Sequence, residues 1–124
     1  MDKKTVLVVE DEVALSRVLS IKLASEGFHV LSAHDGEAGL TMALGRKPDL
    51  IILDIQMPVI DGIAMLKRLR ADRWGKDAKV IVWTNLDHDS DKLAEAVEHN
   101  VAEYLTKTDW SLDKIADKVK EKLS

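Results

Sequence analysis

The 124-residue chain contains no cysteine, which removes disulfides, thiolate metal ligands and a cysteine nucleophile from any account of it. It has only two prolines and six glycines, too few for a linker-rich or low-complexity protein. A membrane helix needs about 18 consecutive apolar residues, and no such run occurs. The N-terminal Met1-Asp2-Lys3-Lys4 leads into a four-residue apolar stretch, Val6 to Val9, too short for a signal peptide. No membrane association is expected, and a cytoplasmic location is the default. An excess of basic charge is also missing. Lys and Arg number 18 against 22 Asp and Glu, a net charge of -4, and the basic residues are scattered along the chain. No duplex DNA footprint, and no direct nucleic-acid partner, is expected.

What remains is the balance of a folded globular protein, 46% apolar and 32% charged. A chain of this length buries one core, so residues 1–124 are expected to form a single domain. Val6-Leu7-Val8-Val9, Leu50-Ile51-Ile52-Leu53 and Val80-Ile81-Val82-Trp83 are near-continuous apolar runs, the mark of strands covered on both faces. Phe28 to Ala33 and Val101 to Leu105 are weaker candidates that suit sheet edges. Between them lie segments of helical period: Leu15, Val18, Leu19 and Leu23; Leu40, Ala43 and Leu44; Ile63, Leu66 and Leu69; Leu93, Ala96 and Val97; and Leu112, Ile115, Ala116, Val119 and Leu123. Gly27 and Gly45 read as helix C-terminal punctuation.

Five strands alternating with five helices give an α/β fold, a flavodoxin-like (βα)5 three-layer sandwich with a parallel sheet in the order 2-1-3-4-5. That order sets the first and third strands side by side at the topological switch point, where ligands bind beyond the carboxyl ends. The residues that follow the strong strands are Glu10 and Asp11, Asp54, and Thr84, and Lys107 follows the last. Three carboxylates, a hydroxyl and an ammonium should therefore converge on one rim. Such crowded acids call for a cation. All-oxygen ligands with places left for water and phosphate suit Mg²⁺ better than zinc. One carboxylate can then attack phosphorus while metal, lysine and hydroxyl hold the phosphoryl oxygens. Asp54, at the end of a central strand, is the expected nucleophile, with Glu10 and Asp11 gripping the cation.

Val8-Val9-Glu10-Asp11-Glu12, Leu53-Asp54-Ile55-Gln56-Met57-Pro58 with Asp61-Gly62, and Tyr104-Leu105-Thr106-Lys107 together resemble the response regulator receiver domains of two-component signalling, the CheY-like superfamily. The resemblance covers essentially the whole chain. It implies that Asp54 accepts a phosphoryl group from a phosphohistidine, and that Asp11, Asp54 and the Gln56 carbonyl ligate Mg²⁺ with Glu10 assisting through water. Lys107 would pair with the phosphoryl group, Thr84 would move to hydrogen-bond it, and Tyr104 would change exposure as a second switch residue. By the same resemblance a histidine kinase or phosphotransfer protein would dock near the first helix, around Ala14, Arg17 and Val18. A downstream protein would read the face of the fourth helix, fifth strand and fifth helix.

Three features depart from the resembled pattern. Asn85 stands after the hydroxyl residue where the pattern has Ala or Gly, and Thr108 follows Lys107 where it has a cis proline. The chain also ends at Ser124, directly after its fifth helix, so it is expected to be a stand-alone receiver or a domain cut from a larger protein. A phosphohydrolase on this scaffold would need a second carboxylate two residues beyond the nucleophile, and that position is Gln56, so the chain is expected to be a switch and not a multiple-turnover enzyme. The alternative is a pseudo-receiver, an interaction module that ignores phosphate. Asp87, Asp89, Asp91 and Glu98 match calcium-loop positions, but Lys92 stands where the turn needs glycine, so they are read as a loop capping the fourth helix. His29, His34, His88 and His99 share no ligand spacing, and Trp74, Trp83 and Trp110 are expected to pack in the core or at an interface.

Overall fold

The computed structural model describes residues 3–57, 59–85, 94–95, 98–108 and 111–124. In chain order the elements are β1 (Thr5–Val9), α1 (Val13–Ser25), β2 (His29–Ala33), α2 (Gly36–Arg46), β3 (Leu50–Leu53), α3 (Gly62–Ala71), a 3-10 turn (Gly75–Asp77), β4 (Val80–Thr84), β5 (Glu103–Thr106) and a C-terminal helix (Leu112–Leu123). The strands form one parallel sheet in the order β2-β1-β3-β4-β5, as expected, with the two weakly apolar strands at its edges. Ala94, Glu95 and Glu98 are helical. Leu93, Ala96 and Val97, the apolar positions of the expected fourth helix, lie outside the described residues, as do Asp87, Asp89, Asp91, His88 and Trp110.

Alternation along each strand sends side chains to opposite faces. Leu7, Val9, Ile51, Leu53, Val80 and Val82 pack with Ala43, Ile63, Leu66 and Leu69 of α2 and α3. Val6, Val8, Leu50, Ile52, Ile81, Trp83 and Leu105 pack with Leu19 and Leu23 of α1 and with Ile115, Ala116 and Val119 of the C-terminal helix. The three central strands are thus buried on both sides, which is why they read as unbroken apolar runs. At about 25 cal/mol per Å² of apolar area, this two-sided burial is the main term holding the layers together.

Helix ends follow local chemistry. Asp35 caps α2 by accepting from the Ala38 amide, Asp61 caps α3 by accepting from the Ala64 amide, and Ser111 caps the C-terminal helix by accepting from the Lys114 amide. Gly27 closes α1 at φ 96°, as expected. Gly45 does not close α2. The helix runs through it to Arg46, and the left-handed residue is Lys47 at φ 48°. The physical reason is Pro48, whose ring disfavours the right-handed helical conformation in the residue before it, so the break falls at Lys47 whatever precedes it.

Candidate functional site

Register places the strand ends at one level. Val9 pairs with both Ala33 and Leu53, Leu53 pairs with Val82, and Thr84 pairs with Thr106. The ladder extends one residue further on two strands, where the Glu10 amide donates to Ala33 O and the Asp54 amide to Val9 O, each at 3.0 Å. Glu10 and Asp54 therefore leave the sheet side by side at the switch point, both buried. Asp11 follows on the exposed side. Oxygens of Glu10, Asp11 and Asp54 all lie within 4.8 Å of one another, so Asp54 forms one cluster with two neighbouring acids 44 and 43 positions before it in sequence.

The counter-charge comes from the far strand. Lys107 Nζ donates to Asp54 Oδ2 at 2.9 Å and to Glu10 Oε1 in a very short ion pair. Only 9% of the lysine side chain is exposed. Asp54 Oδ1 accepts from Thr84 Oγ1 at 2.7 Å and from the Gln56 amide at 3.1 Å. Both oxygens of the buried Asp54 carboxylate thus have donors, as a buried charge requires. Thr84 is fully buried and already turned toward Asp54.

Glu10 is held from behind. Its Oε2 accepts from the Glu12 amide at 3.1 Å, and its carbonyl contacts His34 Nδ1 at 3.0 Å. Burial pushes the Glu10 carboxyl up to about 7, against the pull of the Lys107 and Glu12 hydrogen bonds, and the Asp54 charge adds to the rise. Burial acts to lower the Lys107 ammonium, but the hydrogen bonds it donates to Glu10 and Asp54 outweigh that and the group is held above its ordinary value. Three acids and one ammonium leave the cluster with an excess of negative charge that a small hard cation would offset.

Gln56 and Asn85 are exposed, and Tyr104 is half-buried against the α2–α3 side of the core. No cis peptide bond occurs among the described residues; Lys107 reaches Asp54 although Thr108 follows it through a trans bond. Of the histidines, His29 and His34 are exposed and His99 is half-buried. Trp74 and Trp83 pack with the two core clusters as expected.

Two contributors escape a reading by strand ends. A Cβ on Gly62 would lie 2.5 Å from Asp54 O and 2.7 Å from Ile55 Cα, so only glycine lets α3 approach the backbone that carries Asp54. The Asp61-Gly62 pair in the sequence is the signal for this. Trp83 lies beneath Lys107, with the ammonium 5.6 Å from the indole centroid, and only the folded sheet reveals that pairing.

This fold and rim define a class, and comparison with known proteins agrees. The response regulator receiver domain model matches residues 6–120, and the chain belongs to that family. Among curated proteins, the KDP operon transcriptional regulatory protein KdpE of Escherichia coli is 42% identical over 102 residues, covering 82% of this chain and 44% of that protein. The DNA-binding dual master transcriptional regulator RpaA of Synechocystis is 36% identical over 102 residues, covering 82% of this chain and 42% of that protein. This chain spans somewhat under half the length of these two relatives. Among solved structures, the response regulator TrrA of Thermotoga maritima, in complex with Mg(2+)-BeF, is similar with a TM-score of 0.81 and 34% identity over 96% of this chain and 98% of that one. The protein described here is a two-component response regulator receiver domain, a signalling switch.

Proposed function

We propose that Asp54 is the phosphoacceptor of this receiver domain, taking a phosphoryl group from a phosphohistidine in a Mg²⁺-dependent reaction. The observation that carries this reading is the meeting of Glu10, Asp11 and Asp54 within 4.8 Å, with Lys107 and Thr84 bonded to Asp54. In the transfer an Asp54 oxygen forms a bond to phosphorus as the phosphorus–nitrogen bond breaks and the histidine nitrogen leaves with the electron pair. Lys107 then pairs with the phosphoryl oxygens, and Thr84 exchanges its bond to Asp54 Oδ1 for one to the phosphoryl group. Tyr104 follows as the second switch residue.

The donor set suits Mg²⁺. Asp11, Asp54 and the Gln56 carbonyl would hold the ion, with Glu10 assisting, and all are hard oxygen donors. When bound, Mg²⁺ supplies neutralisation of the acids and of the phosphoryl charge. Exposed Asp11 gives it a route in from solvent.

Upstream, a histidine kinase or phosphotransfer protein would dock near α1, where Ala14, Arg17 and Val18 are exposed. Downstream, a partner protein would read the face formed by the fourth helix, β5 and the C-terminal helix. Residues 1–124 act as one domain in this reading, placed in the cytoplasm, with turnover limited to its own phosphorylation and dephosphorylation. Nothing in the site favours the pseudo-receiver alternative, since every charged residue of the rim is in place.

Intact mass after incubation with phosphoramidate and Mg²⁺ tests the proposal. A gain of one phosphoryl group that is lost in EDTA and in Asp54→Asn supports it. No gain in the wild type, or a gain kept by Asp54→Asn, overturns it.

A further inference from the structure

Trp83 is an expensive residue for the place it occupies. It is 4% exposed, and its Nε1–H has no hydrogen-bond partner among the described residues. A buried indole donor without an acceptor costs free energy that an aliphatic side chain would not. Filling the core between β4 and the C-terminal helix does not call for it, because Ile81 and Leu105 beside it do that with carbon alone.

Its relation to Lys107 supplies a reason. Trp83 pairs with Leu105 across β4 and β5, and both point to the α1 side of the sheet. Lys107, two residues beyond Leu105, continues on that side and carries its ammonium over the indole at 5.6 Å from the centroid. The ammonium is then held by three groups: the Glu10 carboxylate, the Asp54 carboxylate and the negative face of the ring. Thr108, unlike proline, does not fix φ in the backbone that follows the lysine, so the side chain's support matters more.

We propose that Trp83 is a positioning residue for Lys107, its indole face holding the ammonium toward the Asp54 carboxylate while the phosphoryl group arrives. The two carboxylate contacts change as phosphate and cation enter the site. The ring contact does not depend on them, so it keeps the lysine aimed through the transfer. This rests on the reading of Lys107 as the phosphoryl partner, but its structural half is open to test without phosphorylation.

The test compares Trp83→Phe, which keeps an aromatic face, with Trp83→Leu and Trp83→Met, which keep apolar bulk without one. In unphosphorylated protein, NMR of the Lys107 ε-methylene protons should show an upfield ring-current shift in wild type and Trp83→Phe that disappears in the aliphatic variants. With phosphoramidate and Mg²⁺, the maximal phosphorylation rate should fall about five-fold in the folded aliphatic variants and stay within about two-fold in Trp83→Phe. The half-saturating donor concentration should be unchanged. Unshifted lysine protons in the wild type, or equal rates in all three variants, overturn the proposal. If the wild type takes up no phosphate, the functional reading fails, and the methylene shift alone decides for or against the Trp83 contact.

Discussion

Thr84 and Asp54 end neighbouring strands, and the threonine hydroxyl donates to the aspartate carboxylate at 2.7 Å in a fully buried contact. Removing the hydroxyl while keeping the branched shape leaves Asp54 Oδ1 with the Gln56 amide alone. Hydrogen bonds to charged groups contribute about 1.5–3 kcal/mol. Thr84→Val should lower the unfolding free energy in metal-free buffer by about 2 kcal/mol, read from the urea midpoint at unchanged slope.

Lys107 stands between two buried acids. Lys107→Met leaves Glu10 and Asp54 facing each other without a cation, and breaking a buried pair typically costs about 3–5 kcal/mol. The low end, about 3 kcal/mol, is expected, because Glu10 can take up a proton instead. Thermal melts in EDTA should show this loss, and added Mg²⁺ should recover part of it. Equal melting of variant and wild type in EDTA would contradict the ion pairs.

The Glu10 carboxyl sits near 7 in the folded protein against an ordinary 4.5. The folded state therefore holds a proton that the unfolded chain has released, and the Glu10 contribution to stability falls as pH rises from about 4.5 through about 7. In EDTA, the wild type minus Glu10→Gln difference in unfolding free energy should decline across that window and level off above it. A flat difference would count against the burial of this acid.

Val59, in the loop between β3 and α3, adopts φ 70° with 73% of its surface exposed. A branched side chain at positive φ is strained, and this one gains little by packing. Val59→Gly should raise stability by about 1 kcal/mol, seen as a higher urea midpoint. A lower midpoint would mean that Val59 is held by contacts in its folded place.

Most of this architecture can be read from the residues, for physical reasons. Strands buried on both faces carry no polar positions, so Val6–Val9, Leu50–Leu53 and Val80–Trp83 stand out. Fold order then brings Glu10, Asp11, Asp54, Thr84 and Lys107 together without further information. What escapes is whatever depends on close approach. The end of α2 falls at Lys47 and not at Gly45, because Pro48 acts backward on its neighbour. The indole beneath Lys107 joins a β4 residue to one just past the end of β5, 24 positions on, and periodicity treats Trp83 as one more apolar residue. The compensation of Asp54 by Lys107 also reads differently in three dimensions. The acid cluster already contains its own ammonium, so the site is less repulsive without metal than three carboxylates alone would be.

Borohydride reduction of the phosphorylated protein turns an aspartyl phosphate into homoserine, and sequencing of two tryptic peptides, one carrying Asp11 and one carrying Asp49, Asp54 and Asp61, then locates it. Homoserine at position 54 alone is the outcome that the paired, Lys107-facing carboxylate demands. Homoserine at Asp11, Asp49 or Asp61 in protein that has gained a phosphoryl group would contradict it.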